Sequence, residues 1–383
     1  MKRLVFIILV FYLINFPSKL CSQENDYFNL KTVVIDPGHG GRDPGSIGTG
    51  RYKIYEKDIS LDISLKLGRY IKSRFPEINV IYTRENDEFV KLSKRTQIAN
   101  KNNADLFISI HCDAFTNENA SGSSTYVMGP HKSDSNLQIA MRENSSILME
   151  EDFELDYAGF NPNEPESYIA LNMYQSKYIG YALDFASKVQ NEFSKSSNRK
   201  NRGVKQAGFL VLSKTTMPSV LIEVGFITNK IEEDYLISFD GKEEVAKAIF
   251  EAFCSYKKQI DFLTVNSNNN LFLNDSIKTN SLIINDNADS FDNIDTFLTV
   301  QFFASSDSIQ FNNNELNNDL IFCIRENSLY KYFYGKSSSY NQIKNLQNKL
   351  KKYGFFDSFI VGFFNKNKAE LSKVLSILDK END

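Results

Sequence analysis

Between residues 32 and 258, short apolar runs alternate with helical patterns, and this alternation restricts the fold more than any other feature of the chain. Val33, Val34 and Ile35 form a β-branched run that Asp36-Pro37-Gly38 breaks, so they read as a buried strand with an abrupt end. Ile59, Ile63 and Leu67 then recur at helical spacing along "KDISLDISLKLGRYI". "NVIYTR" and "ADLFISIH" read as strands, and Ile179, Leu183, Ala186 and Val189 as a helix. "SVLIEVGFI" reads as another strand, and Val245, Ile249 and Phe253 mark a last helix. Strands separated by helices pair in parallel, so the expectation is an α/β domain over residues 30–260, its mostly parallel sheet flanked by helices. Such sheets carry their sites beyond the carboxyl ends of the strands.

Polar residues gather at those ends. The chain has only three histidines. His39 follows the first strand in "VVIDPGHGG", and His111 ends "LFISIH". A glycine-flanked loop can also cradle phosphate, but no G-K-[ST] follows here and no helix starts directly after it. Glu56 sits just ahead of the first amphipathic helix, and Glu223 interrupts the buried run "SVLIEVGF". A carboxylate inside such a strand costs several kcal/mol unless it is paired or bound to metal. His39, Glu56 and His111 together make a ligand set for one catalytic Zn2+ with water in the fourth position, and Glu223 would act as general base and then acid. Taken singly, Glu56 could be a first-turn acid on a helix dipole and His111 a hydrogen-bonded core residue. Cys112 follows His111 on the strand and so faces the other way, into the core. His131 lies in the polar loop "MGPHKSD" and is not expected to be a ligand.

The flanks differ in kind. Lys2 and Arg3 precede an apolar run from Leu4 to Phe16 and then "PSKLCSQ", the pattern of a secretory signal peptide over residues 1–22. Lipid attachment at Cys21 is the alternative, against which the large Leu20 stands. No other stretch reads as a membrane span, so none is expected in the mature chain. Loss of Lys2, Arg3 and Lys19 would move the formal charge three units down from −4, to −7, which argues against nucleic acid as a partner. Cys112, Cys254 and Cys323 then remain, an odd and widely spaced set that makes no disulfide framework, with Cys254 and Cys323 expected in cores. Residues 266–295 hold 18 Asn, Asp and Ser among 30, too polar to bury a core, and residues 261–296 read as a flexible linker. From residue 297 to 383, "FLTVQFFAS", "YKYFYG" and "SFIVGFF" read as strands of a small α+β domain. Its helix starts at a Ser339–Gln342 capping box, buries Ile343, Leu346, Leu350 and Tyr353, and stops at Gly354.

Residues 32–258 resemble the zinc-dependent N-acetylmuramoyl-L-alanine amidases of the cell-separation type. The resemblance lies in "VVIDPGHGGRDPGSIG", Glu56 before "KDISLDISLKL", "VIYTRENDEFVKLSKRTQIAN", "ADLFISIHCDAF" and "PSVLIEVGFITN", in that order. It implies zinc on His39, Glu56 and His111, a catalytic Glu223, and cleavage of the bond between N-acetylmuramic acid and L-Ala in peptidoglycan. It places the protein in the periplasm or cell wall, in daughter-cell separation or wall turnover. One departure is Cys112, where the family often has Ala or Ser. The four residues would equally serve a zinc peptidase acting within the stem peptides, and an inert wall-binding protein is a third reading. The C-terminal region resembles a SPOR-type module of ferredoxin-like fold, known for binding glycan stripped of its stem peptides, although its first helix is hard to find. Relatives with an insertion like residues 131–202 use a helix there to cover the metal until a degenerate LytM-type activator displaces it. Glu143, Glu150 and Glu151 are then the candidate blocking ligands, against a solvated acidic helix face.

Overall fold

The computed structural model describes residues 29–171, 178–196, 199–273, 296–305, 320–326, 329–353, 355, 358–365 and 367–381. The leader read at residues 1–22, with Cys21, lies outside them. Six strands form the first sheet: β1 (Thr32–Pro37), β2 (Asn79–Tyr82), β3 (Leu106–Asp113), β4 (Ser123–Met128), β5 (Asn201–Ala207) and β6 (Ser219–Phe226). Their order is β2-β1-β3-β6-β4-β5. Neighbours run parallel except β4, which is antiparallel to β6. The mostly parallel sheet is therefore a mixed one. β4 and β5 escape a reading by apolar runs because "SSTYVM" and "NRGVKQA" are rich in polar residues.

Alternation along the strands sends side chains into two cores. Val33, Ile35, Ile108, Ile110, Ile222 and Val224 face one side with Cys112. There they meet α1 (Glu56–Arg74) through Ile59, Ile63 and Leu67. Further on, α6 (Ile179–Ser196) adds Phe185 and Val189, and α9 (Phe239–Leu273) adds Val245, Ile249 and Phe253. Val34, Phe107, Tyr126 and Leu221 face the other side. That face is covered by α2 (Leu92–Lys101), α3 (Asp134–Asn144), α5 (Ser167–Leu171) and α7 (Leu210–Ser213). The short α4 (Phe153–Asp156) lies between α3 and α5 in sequence, and α8 (Lys230–Ile237) follows β6.

This division corrects the insertion expected over residues 131–202. Its last part, α6, is a core helix of the first face, and β5 already starts at Asn201. Only α3 to α5 pack over the opposite face. α9 continues to Leu273, past residue 261 where the linker is expected to start. Residues 274–295 lie outside the described ones.

The second sheet is antiparallel, in the order β11-β10-β7-β9-β8. It comprises β7 (Thr296–Ser305), β8 (Ile321–Glu326), β9 (Leu329–Ser337), β10 (Phe359–Phe364) and β11 (Asn367–Ala369). Ile343 and Leu350 of α10 (Tyr340–Lys352), and Val374 and Leu378 of α11 (Leu371–Glu381), pack in its core, with Leu346 and Tyr353 partly buried. Ser339 caps α10 by accepting the Gln342 N–H, but the box is half formed: the Gln342 side chain accepts from Ser337 instead. Gly354 and residues 306–319, between β7 and β8, lie outside the described ones. Cys323 is exposed rather than core, since it sits on the edge strand β8, and Cys254 is half-buried. Among the described residues, no helix is long and apolar enough to cross a membrane.

Ile63 is fully buried where α1 meets the sheet. Ile63→Ala is expected to cost about 2–5 kcal/mol of domain stability, read by chemical denaturation; a loss under ~1 kcal/mol would contradict this packing.

Candidate metal centre

The site forms where β1 and β3 end and α1 begins. His39 lies two residues past β1, Glu56 is the first residue of α1, and His111 lies near the end of β3. β3 pairs with β6 so that His111 stands opposite Glu223. Register partners on parallel strands point to the same face, which sets the two side by side. Gly38 makes room for this: a Cβ there would lie 2.5 Å from the His111 ring. Gly40 and Gly41 serve the turn itself, with φ of 124° and 58°.

Four buried side chains converge. His39 Nε2 lies 3.1 Å from Glu56 Oε1 and 3.1 Å from Glu143 Oε2. His111 Nδ1 lies 3.1 Å from Glu56 Oε1, 2.9 Å from Glu143 Oε2 and 3.2 Å from His39 Nε2. Donor atoms about 3.3 Å apart are what a tetrahedron with bonds of about 2.0–2.1 Å requires. Glu143 Oε2 is buried and meets no donor in hydrogen-bonding geometry. Asp43 Oδ2 lies 2.8 Å from His39 Nδ1, which directs the proton there and leaves the Nε2 lone pair facing the cluster. Glu56 is oriented by the Ser46 and Cys112 N–H groups, at 2.8 Å each. The two imidazoles and two carboxylates thus fit a tetrahedral divalent cation, and they are the one such group among the described residues.

The expected trio His39, Glu56 and His111 is therefore brought together, and Glu143 of α3 completes it. Glu150 and Glu151 are not there. After Asn144 the chain tightens into a 3₁₀ turn at Ser145–Met149, which carries both acids away from the cluster. Glu150 instead accepts from the Leu92 N–H and the Tyr157 hydroxyl, and Glu151 is exposed. His131 stands outside the cluster. Cys112 points into the core, and burial, followed by the charges of Glu56 and Glu223, pushes its thiol pKa well up.

Glu223 is fully buried, and its Oε2 has no hydrogen-bond partner. Burial, then the charges of Asp113 and Glu143, push its pKa well above the ordinary carboxyl range, while Arg142 pulls the other way. Arg142 joins the two acid sets: it donates to Glu143 at 2.9 Å, to Asp113 at 3.1 Å, to the Ala114 carbonyl at 2.7 Å and to Glu223 at 3.4 Å. Burial also acts to raise the Glu143 pKa, but His111 and Arg142 outweigh it and hold it well below the usual range. Asp43, Asp113 and Arg142 were missed in the sequence. Asp113 was accessible to a period-two reading, since it shares the face of His111 two residues on. Arg142 carried no signal beyond standing next to Glu143.

Fold and cluster together define an α/β domain with a metal-competent centre at the carboxyl ends of its strands. The family model described as N-acetylmuramoyl-L-alanine amidase matches residues 33–255, and the chain belongs to that family. It is 35% identical over 229 residues to N-acetylmuramoyl-L-alanine amidase AmiC of Escherichia coli O6:H1, across 58% of this chain and 52% of AmiC. It is 32% identical over 231 residues to AmiA of Escherichia coli K12, across 59% of this chain and 76% of AmiA. The chain thus spans about half the length of the first of these relatives. Among solved structures, the N-acetylmuramoyl-L-alanine amidase from Clostridium difficile 630 shares 28% identity with a TM-score of 0.45, covering 60% of this chain and 97% of that one.

Gly38→Ala sets a methyl group against the His111 ring. The variant is expected to fold yet to bind divalent metal at least ~10-fold more weakly, the scale on which ligand orientation acts, as read by chelator competition.

Proposed function

We propose that this protein is a zinc-dependent amidase of bacterial peptidoglycan, hydrolysing the amide between the lactyl group of N-acetylmuramic acid and L-Ala of the stem peptide. The reading rests above all on the His111–Glu223 register, which sets a buried carboxylate beside a metal-competent cluster. His39, Glu56 and His111 would hold the ion. When bound, zinc supplies a polarised scissile carbonyl and a water of lowered pKa. Glu223 takes the proton from the attacking water and delivers it to the departing L-Ala nitrogen, so that the leaving group is a neutral amine. The buried strands around it exclude competing solvent.

Glu143 occupies the position the substrate would need. We read α3 as a cover whose carboxylate blocks the fourth coordination place, and a partner that prefers the open form, of the LytM-type activator class, would shift the population. The C-terminal domain, whose described residues form an antiparallel sheet and two helices, is read as the SPOR-type module that retains the enzyme on denuded glycan. The leader read at residues 1–22 would export the chain to the periplasm.

Digestion of purified sacculi tests the reaction. A new L-Ala amine with intact glycan is expected. A cut within the stem peptide would favour a zinc peptidase, and no release an inert wall-binding protein. Glu223→Gln should keep its zinc and lose about 10²–10⁴-fold in turnover; a variant with more than about a third of wild-type activity would remove Glu223 from this role. Glu143→Ala should raise basal activity without an added partner, and a folded, zinc-loaded variant with no gain would rule out the blocking role.

A further inference from the structure

We infer that Arg84 and Arg95 are the positioning residues of the metal-bearing loop, fixing His39 in a left-handed backbone conformation and setting its place relative to Glu56. The inference rests on the metal reading above. His39 has φ of 60°, a region that residues with a Cβ rarely occupy unless their surroundings force it. The forcing contacts are two guanidinium groups, each about 2% exposed. Arg95 donates Nη1 to the Pro37 carbonyl and Nη2 to the His39 carbonyl, both at 2.6 Å. Its Nη1 also reaches Asp36 Oδ1 at 2.8 Å, and its Nε the Val90 carbonyl at 3.0 Å. Arg84 donates Nε to the Pro37 carbonyl at 3.0 Å and Nη2 to the Gly38 carbonyl at 2.7 Å. Three consecutive carbonyls, those of Pro37, Gly38 and His39, are thereby held from two sides.

Arg84 does a second thing. The same Nη2 that holds Gly38 also donates to the Lys57 carbonyl at 2.8 Å, in the first turn of α1, one residue beyond Glu56. One rigid, planar group therefore ties the loop bearing His39 to the turn bearing Glu56. Asp36 cannot account for both cations. It is ion-paired with Arg95 at 2.8 Å, and its remaining bonds come from Thr83 at 2.5 Å and Ser109 at 2.7 Å. The hydrogen bonds of Arg84 go to the backbone carbonyls of Pro37, Gly38, Lys57 and Asn86 and to the Ser60 hydroxyl, with the charges of Asp36, Asp87 and Asp58 acting from farther off, so a buried cation is committed to the shape of one loop. Lysine could not replace either residue, because a single nitrogen does not span carbonyls in a fixed fork.

The test uses the full chain carrying Arg84→Lys or Arg95→Lys, with Ile63→Ala as a packing lesion elsewhere in the same domain. Zinc affinity is measured by competition with a chromophoric chelator, ligand geometry by the visible absorption of the Co2+-loaded protein, and stability by thermal unfolding. Both lysine variants are expected to lose about 10–100-fold in zinc affinity and to show an altered cobalt spectrum. Ile63→Ala should lower the melting temperature while leaving affinity and spectrum as in the wild type. Folded lysine variants that bind zinc within about twofold of wild type, with an unchanged spectrum, would overturn the inference. So would Ile63→Ala weakening zinc to the same extent, which would mark a general stability effect. Should Arg95→Lys not fold, Arg84→Lys decides on the same scales. A wild-type chain that takes up no zinc would instead overturn the metal reading itself, and the positioning role with it.

Discussion

The centre depends on the parallel pairing of β3 with β6 that sets His111 against Glu223. A slip of one residue in either strand would turn its polar side chain into the apolar core and bring an isoleucine, valine or cysteine to the site. The register is held because the same alternation serves both faces. Ile108, Ile110 and Cys112 fill one core while Ser109, His111 and Asp113 take the other direction, and Ile222 and Val224 bracket Glu223 in the same way. Burial of the hydrophobic set therefore aligns the polar set, and β1 on the far side of β3 brings the His39 loop alongside.

Charge is the second constraint. Glu56, Glu143, Glu223 and Asp113 are buried close together, and the described structure balances them with two imidazoles and Arg142. Carboxylates so placed would be costly in an apolar setting without counter-charge. Arg142 and Glu143 are neighbours on α3, so withdrawal of this one helix would remove a cation from the Glu223 side and an anion from the His39–His111 side together. Arg142 and Glu143 are thereby matched in sign to the two halves of the site, and together they add no net charge to the pocket.

Much of the site was legible because its residues break local rules. Glu223 inside "SVLIEVGF" and His111 at the end of "LFISIH" are polar groups in buried strands, and such exceptions stand out without any tertiary information. Glu56 was ambiguous, since an acid in the first turn of a helix is ordinary; it proves to be both a first-turn acid and a member of the cluster. Of the three acids considered for the cover, only Glu143 reaches the cluster, because the helix ends at Asn144 and a 3₁₀ turn redirects the chain. That break has no strong sequence signal: Asn144-Ser145-Ser146 is only mildly unfavourable to a helix.

By itself the sequence determined the alternation of strands and helices, the polar interruptions in the buried strands and the compositional break after the first domain. Each of these is a local property, written in periodicity of 2 or 3.6 residues or in composition. The tertiary structure alone decided that β4 runs against β6, that α6 packs in the first core while α3 packs over the opposite face with Glu143 in the cluster, and that Arg84 and Arg95 close on the carbonyls around His39. Those outcomes depend on contacts between residues some 30 to 100 positions apart, where many pairings are compatible with one local pattern and only the joint packing of two cores and a set of buried charges selects among them.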